Sequence, residues 1–81
     1  MMIAVRLFAR ARDLAGHDVL SLEVLDGATV ADLRKGIRIA CPELADLLSH
    51  SRIAVADDFA EDDCKLNPGV DVAIIPPVSG G

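Results

Sequence analysis

The chain has 81 residues, 52% of them apolar, with a net charge of −5 and a pI near 4.7. That length supports one domain, and the acidic balance disfavours nucleic acid and anionic membrane surfaces as partners. With Phe8 and Phe59 as the sole aromatics, the core must be aliphatic and no stacking platform for single-stranded nucleic acid exists.

In chain order, the first element is a strand. Met2 to Ala9 alternates, with Ile3, Val5, Leu7 and Ala9 on one face and Met2, Ala4, Arg6 and Phe8 on the other. Arg10 to Ala15 reads as a short helical connector that stops at Gly16. A second strand follows from Val19 to Leu25, with Leu20, Leu22 and Val24 inward and Ser21 and Glu23 outward. Thr29 is a helix N-cap, and Asp32 completes a weaker form of the capping box. Val30, Leu33, Ile37 and Cys41, with Ala40 beside them, form the apolar stripe of that helix. Arg34, Lys35 and Arg38 are expected to face water. Gly36 lies inside the helix, where it costs about 1 kcal/mol against alanine; close packing on the sheet is the simplest reason for it.

Pro42 ends the helix. Glu43 to Ser49 is expected to be a short helical turn, and Arg52 to Ala56 a strand. Asp57 to Asp63 reads as a polar loop, and Cys64 to Leu66 as a brief edge strand. Asn67-Pro68-Gly69 is a turn. In the last strand Val70, Val72 and Ile74 alternate with Asp71, Ala73 and Ile75. The expected fold class is therefore α+β: a sheet of four or five strands with one main helix, which can cover one face only.

The charge is uneven. Residues 1–40 carry six basic and five acidic side chains, whereas residues 41–81 carry two and eight. A basic protein surface is the partner this favours. Arg6 interrupts the N-terminal apolar run too early for a signal peptide, and no stretch approaches the ~20 apolar residues of a membrane span. The expected location is the cytoplasm, with Cys41 and Cys64 as reduced thiols.

Most routes to chemistry are weak. Asp57, Asp58, Glu61, Asp62 and Asp63 lack the ligand order of a calcium loop and read as a solvated loop. His17, His50, Cys41 and Cys64 lack zinc-ligand spacing, so no metal site is expected. No glycine-rich phosphate loop occurs. Phe8 with Met2 and Ala4 is either a binding patch or ordinary partial exposure.

The tail is different. Pro76 and Pro77 fix φ near −65°, favour an extended course and offer no N–H for a ladder. Residues 76–81 can reach about 20 Å from the domain, taken as residues 1–75. Gly80 and Gly81 carry no β-carbon and can thread a narrow channel. Composition alone fits a frayed end. Rigid prolines before a β-carbon-free end fit better a carboxylate presented inside another protein's active site.

Together, Val5-Arg6-Leu7-Phe8-Ala9, Arg12-Asp13-Leu14-Ala15-Gly16, Ala28-Thr29-Val30-Ala31-Asp32-Leu33, Pro68-Gly69-Val70-Asp71-Val72 and above all Pro76-Pro77-Val78-Ser79-Gly80-Gly81 resemble the small subunits of molybdopterin synthase. These are ubiquitin-like β-grasp sulfur carriers. The resemblance implies that a ubiquitin-activating-type enzyme uses ATP and Mg²⁺ to adenylate Gly81, and that a persulfide donor then makes a thiocarboxylate. It further implies that Pro76, Pro77, Val78, Ser79 and Gly80 present this group inside a large subunit, in a heterotetramer, for transfer to cyclic pyranopterin monophosphate. Phe8 and Ile75 would dock on that subunit. There are departures: Ile75 stands where the family often has an aromatic residue, and Asn67-Pro68-Gly69 replaces its usual acidic turn. A protein modifier joined to lysines through Gly81 and a thiamine-type sulfur carrier are the alternatives; the proline pair argues against the second.

Overall fold

The computed structural model describes residues 1–77. The chain runs β1 (Met2–Leu7), α1 (Ala9–Ala15), β2 (Val19–Glu23), α2 (Val30–Ala40), a 3-10 turn (Pro42–Leu44), α3 (Ala45–Ser49), β3 (Arg52–Val55), β4 (Asp58–Ala60) and β5 (Val72–Ile75). The strands form one mixed sheet in the order β2-β1-β5-β3-β4. β1 and β5 are parallel at its centre, and every other neighbour pair is antiparallel.

The period-two pattern decides which side of the sheet is buried. Ile3, Val5, Leu7, Ile53, Val72 and Ile74 point to one side and are almost inaccessible. Val30, Leu33 and Ile37 of α2, with Leu44 and Leu48, complete the core against them. Thr29 and Asp32 make the full capping box. The Thr29 N–H donates to Asp32 Oδ2 at 3.0 Å, and the Asp32 N–H to Thr29 Oγ1 at 3.4 Å.

Several expectations are corrected. The first strand stops at Leu7, because the chain turns at Ala9 (φ +50); Ala11 enters the core instead of Ala9. The second strand ends at Glu23 and the last begins at Val72. Ala40 is exposed. Arg34 does not simply face water: its side chain is 18% exposed and spans two elements. Its Nη1 and Nη2 donate to the carbonyls of Leu48 and Ser51 at 2.9 Å each, and its Nε to Asp62 at 3.2 Å. An arginine suits this because its rigid fork reaches three acceptors together.

The expected polar loop 57–63 is largely a hairpin. Ala56 and Asp57 both adopt positive φ (51° and 71°), the requirement of a two-residue type I′ turn. That turn returns Asp58–Ala60 onto β3. Cys64–Leu66 adds no edge to the main sheet. A single bridge, Thr29 with Lys65, holds it beside the start of α2. There the carbonyls of Cys64 and Asp62 accept the N–H groups of Val30 and Ala31, which a helix start otherwise leaves unpaired. The Pro68-Gly69 turn is as expected, with Gly69 at φ +75. Gly36 is not there for close packing. A β-carbon built on it would meet nothing outside the helix nearer than Leu22 Cδ1 at 4.0 Å.

Candidate functional site

With α2 on one side, the opposite side of the sheet is uncovered. Register fixes what lies on it. Arg6 of β1 stands opposite Ala73 of β5, Ala73 opposite Ala54 of β3, and Ala54 opposite Phe59 of β4. One row thus crosses four strands with small residues at its middle. In the neighbouring row Arg52 stands opposite Ile75.

Because Ala54 and Ala73 are short, the row forms the floor of a depression of about 310 Å³. Phe8 and Phe59 line it, 41% and 56% exposed. Each ring carries a guanidinium: Arg6 lies 5.4 Å from the centroid of Phe8, and Arg52 3.8 Å from that of Phe59. Such stacking is electrostatically favourable and fixes ring and cation together. Arg6 also reaches Asp71 at 3.3 Å, and Asp57 lies at the rim. The arrangement is an apolar hollow ringed by both signs of charge, the pattern of a protein docking surface.

Ile75 belongs to the same depression and is the last residue of β5. β5 is the central strand, so the chain leaves the sheet from its middle. Pro76 follows half-buried and Pro77 exposed. Phe8 and Ile75, expected at a partner interface, therefore share one concavity. Val78, Ser79, Gly80 and Gly81 lie outside the described residues. Phe59, Ala54, Ala73, Arg6 and Arg52 were missing from the sequence-based site. The alternation of the last strand already placed Ala73 with Ile75. Phe59 was hidden because its hairpin turn is Ala-Asp, not the Asn-Gly that signals type I′.

The other candidates do not gather into chemistry. Among the described residues, no group of three or more His, Cys, Asp or Glu side chains is placed to hold a metal ion. The acidic run is divided: Asp57 lies in the hairpin turn, Asp58 is in β4, and Asp62 pairs with Arg34. Cys41 is buried and Cys64 half-buried, and both are free thiols. No helix among the described residues is long and apolar enough to cross a membrane.

A mixed five-stranded sheet gripping one main helix, with its far face bare, defines a ubiquitin-like β-grasp protein. The chain belongs to the ThiS family, whose model matches residues 5–81. It is 37% identical over 83 residues to the molybdopterin synthase sulfur carrier subunit of Chlamydomonas reinhardtii, covering all of both chains. Among solved structures, it resembles SAMP1 of Haloferax volcanii at TM-score 0.89 and 26% identity, with both chains covered in full. It also resembles a putative molybdopterin converting factor subunit 1 of Pyrococcus furiosus, at TM-score 0.87 and 30% identity over 96% of this chain and 99% of that one. A complex of subunits 1 and 2 of the molybdopterin-converting factor of Helicobacter pylori contains the same fold, at TM-score 0.72 and 24% identity over all of both chains.

Proposed function

We propose that this chain is the sulfur-carrier subunit of a molybdopterin synthase. Domain 1–75 docks through the bare sheet face, and tail 76–81 delivers the reactive group. An adenylating enzyme of the ubiquitin-activating type converts the Gly81 carboxylate to an acyl-adenylate with ATP and Mg²⁺. The outer sulfur of a persulfide donor displaces AMP to give an acyl disulfide. A thiol then cleaves its S–S bond, forming a disulfide with the donor's inner sulfur and leaving a thiocarboxylate on Gly81. Within the large subunit of a heterotetramer, that sulfur attacks cyclic pyranopterin monophosphate. Both partners work in the cytoplasm. The chain contributes a covalently held reactant and its positioning; the large subunit supplies acid, base and charge stabilisation.

The carrying observation is the full-length likeness to a named sulfur carrier subunit together with a family match that runs to Gly81. The geometry supports it. The Phe8–Ile75 depression adjoins the point where the chain leaves the sheet, so one contact both binds the partner and aims the tail.

The test is intact-mass analysis after incubation with the activating enzyme, ATP and a sulfur donor. The expected product has one oxygen exchanged for sulfur at Gly81, and an unchanged mass overturns the reading. A residue added after Gly81 should abolish transfer while leaving thermal unfolding unaltered, because the reacting atom moves out of register.

The likeness to SAMP1, a small archaeal modifier protein, favours a second reading: conjugation of Gly81 to lysine side chains. Activation is common to both readings and the acceptor differs. Gly81 found in isopeptide linkage to several proteins, with no pterin product formed, would select the modifier.

A further inference from the structure

The sheet has a second unused surface, distant in the strand order from the Phe59 hairpin: the edge strand β2 and the groove between it and α2. In the β1–β2 ladder the Leu7 N–H bonds to Asp18 and the Val24 N–H to Met1. With the antiparallel register, this turns the backbone groups of Leu20, Leu22 and Val24 towards β1 and those of Val19, Ser21 and Glu23 outward. Among the described residues these outward groups have no hydrogen-bond partner. An open row of this kind is a template for another strand. β2 has five residues, against three in the opposite edge strand β4.

Beside that edge lies a groove of about 320 Å³ lined by Val24, Leu25, Ala28, Gly36 and Ile39. Leu25 and Ile39 are 85% and 74% exposed, the two most exposed large aliphatics among the described residues. Gly36 opens the groove. The helix pays for a glycine there although a β-carbon would fit, and what the missing side chain leaves is space between β2 and α2. The rim is acidic. Glu23 and Asp32 line the groove against a single Lys35, and Asp26 stands beside Leu25. The Met1 ammonium, 3.2 Å from Glu23 and 3.8 Å from Asp26, offsets part of this charge. One carboxylate remains in excess, on a chain whose net charge is −5.

We infer that the β2–α2 groove is a docking site for an extended basic peptide segment, which pairs with β2 as an added strand. Its backbone takes up the free groups of Val19, Ser21 and Glu23. An aliphatic side chain fills the space over Gly36, and a Lys or Arg meets Glu23. This is strand addition, in which main-chain bonds supply affinity and the groove supplies selectivity. A second copy of the chain is a poorer occupant, because it brings another net charge of −5. The inference does not rest on the sulfur-carrier reading, since the groove lies on the helix side of the sheet and not on the Phe8–Ile75 face.

The probe is the acetylated, amidated peptide Lys-Val-Lys-Ile-Lys-Val-Lys, titrated into the nitrogen-15-labelled full chain. The expected result is saturable shifts of the Val19, Ser21 and Glu23 amides, with slowed solvent exchange at all three. Gly36→Ala should weaken binding about tenfold, as one added methyl in an apolar pocket does, while its melting temperature stays the same or rises. The peptide with Glu for Lys should not bind, nor should one N-methylated at alternate residues, which keeps the charge and side chains but cannot pair. Equal binding of the N-methylated peptide would reduce the site to charge attraction and overturn the inference. So would shifts centred on Ala54 and Ala73, concentration-dependent shifts at β2 in the free protein, or no saturation.

Discussion

The two faces of the sheet are made by the same strands, yet they solve opposite problems. On the helix side, Val5, Val72 and Ile53 are wholly buried, and α2 lays Leu33 and Ile37 onto them. On the far side, their sequence neighbours Arg6, Ala73 and Ala54 stay in reach of solvent. Burying the far row as well would need a second layer, and none covers it among the described residues. Stability is thus concentrated on one face, and the other can be shaped for contact. The shaping lies in side-chain size: alanines make a hollow, two phenylalanines line it, and stacked arginines hold the rings.

Changes at four places would break or sharpen that contrast. Ile37→Ala removes a fully buried side chain from the covered face and should cost about 2–5 kcal/mol. Since about 1 kcal/mol shifts Tm by roughly 4–8 °C in a domain this small, a thermal melt should show a loss of about 8 °C or more. If it does not, the covered face is not where stability resides. Ala73→Arg should do the reverse, filling the hollow from the central strand. Stability is expected to stay within about 0.5 kcal/mol, while affinity for the proposed large-subunit partner, read by calorimetry, falls at least about tenfold, or 1.4 kcal/mol. An unchanged affinity would remove the bare face from the interface.

Arg34→Ala tests the covered side away from the sheet, where the guanidinium ties α2 to the carbonyls of Leu48 and Ser51. Charged hydrogen bonds of this sort contribute about 1.5–3 kcal/mol, so denaturant unfolding should show a loss in that range. Arg34→Lys should restore part of it, since an ammonium lacks the fork. The smallest effect is expected at the hairpin. Replacing Ala56-Asp57 by Asn-Gly suits both positive φ angles and should raise stability by about 0.5–1 kcal/mol. Phe59 keeps its place, so partner binding should lose no more than the rim charge of Asp57 contributes, seen chiefly in the association rate and its salt dependence.

Much of this was readable in the residues, and the limits are instructive. The Ile3-Val5-Leu7 and Val72-Ile74 alternations, the Thr29–Asp32 cap, the Gly16 stop and the Pro68-Gly69 turn are local signals. Each acts within a few residues, and each appears in the fold as read. Phe8 and Ile75 were legible as a pair through the same alternation and the family likeness. What tertiary structure alone decided were the long-range relations. Val55–Asp58 closes through positive φ at Asp57, which tolerates it, and at Ala56, which does not favour it, so packing overrode local preference at Ala56 and carried Phe59 to the bare face. Arg34 sits on the polar side of a helical wheel, and its acceptors come from distant segments folded beside it: Leu48 in α3, Ser51 just after it, and Asp62. The 64–66 segment carries strand-like residues but caps α2, because the N–H groups there needed partners. Periodicity determines which way a side chain points; what it meets depends on which distant segment the core draws alongside, and that is fixed only when the whole chain packs.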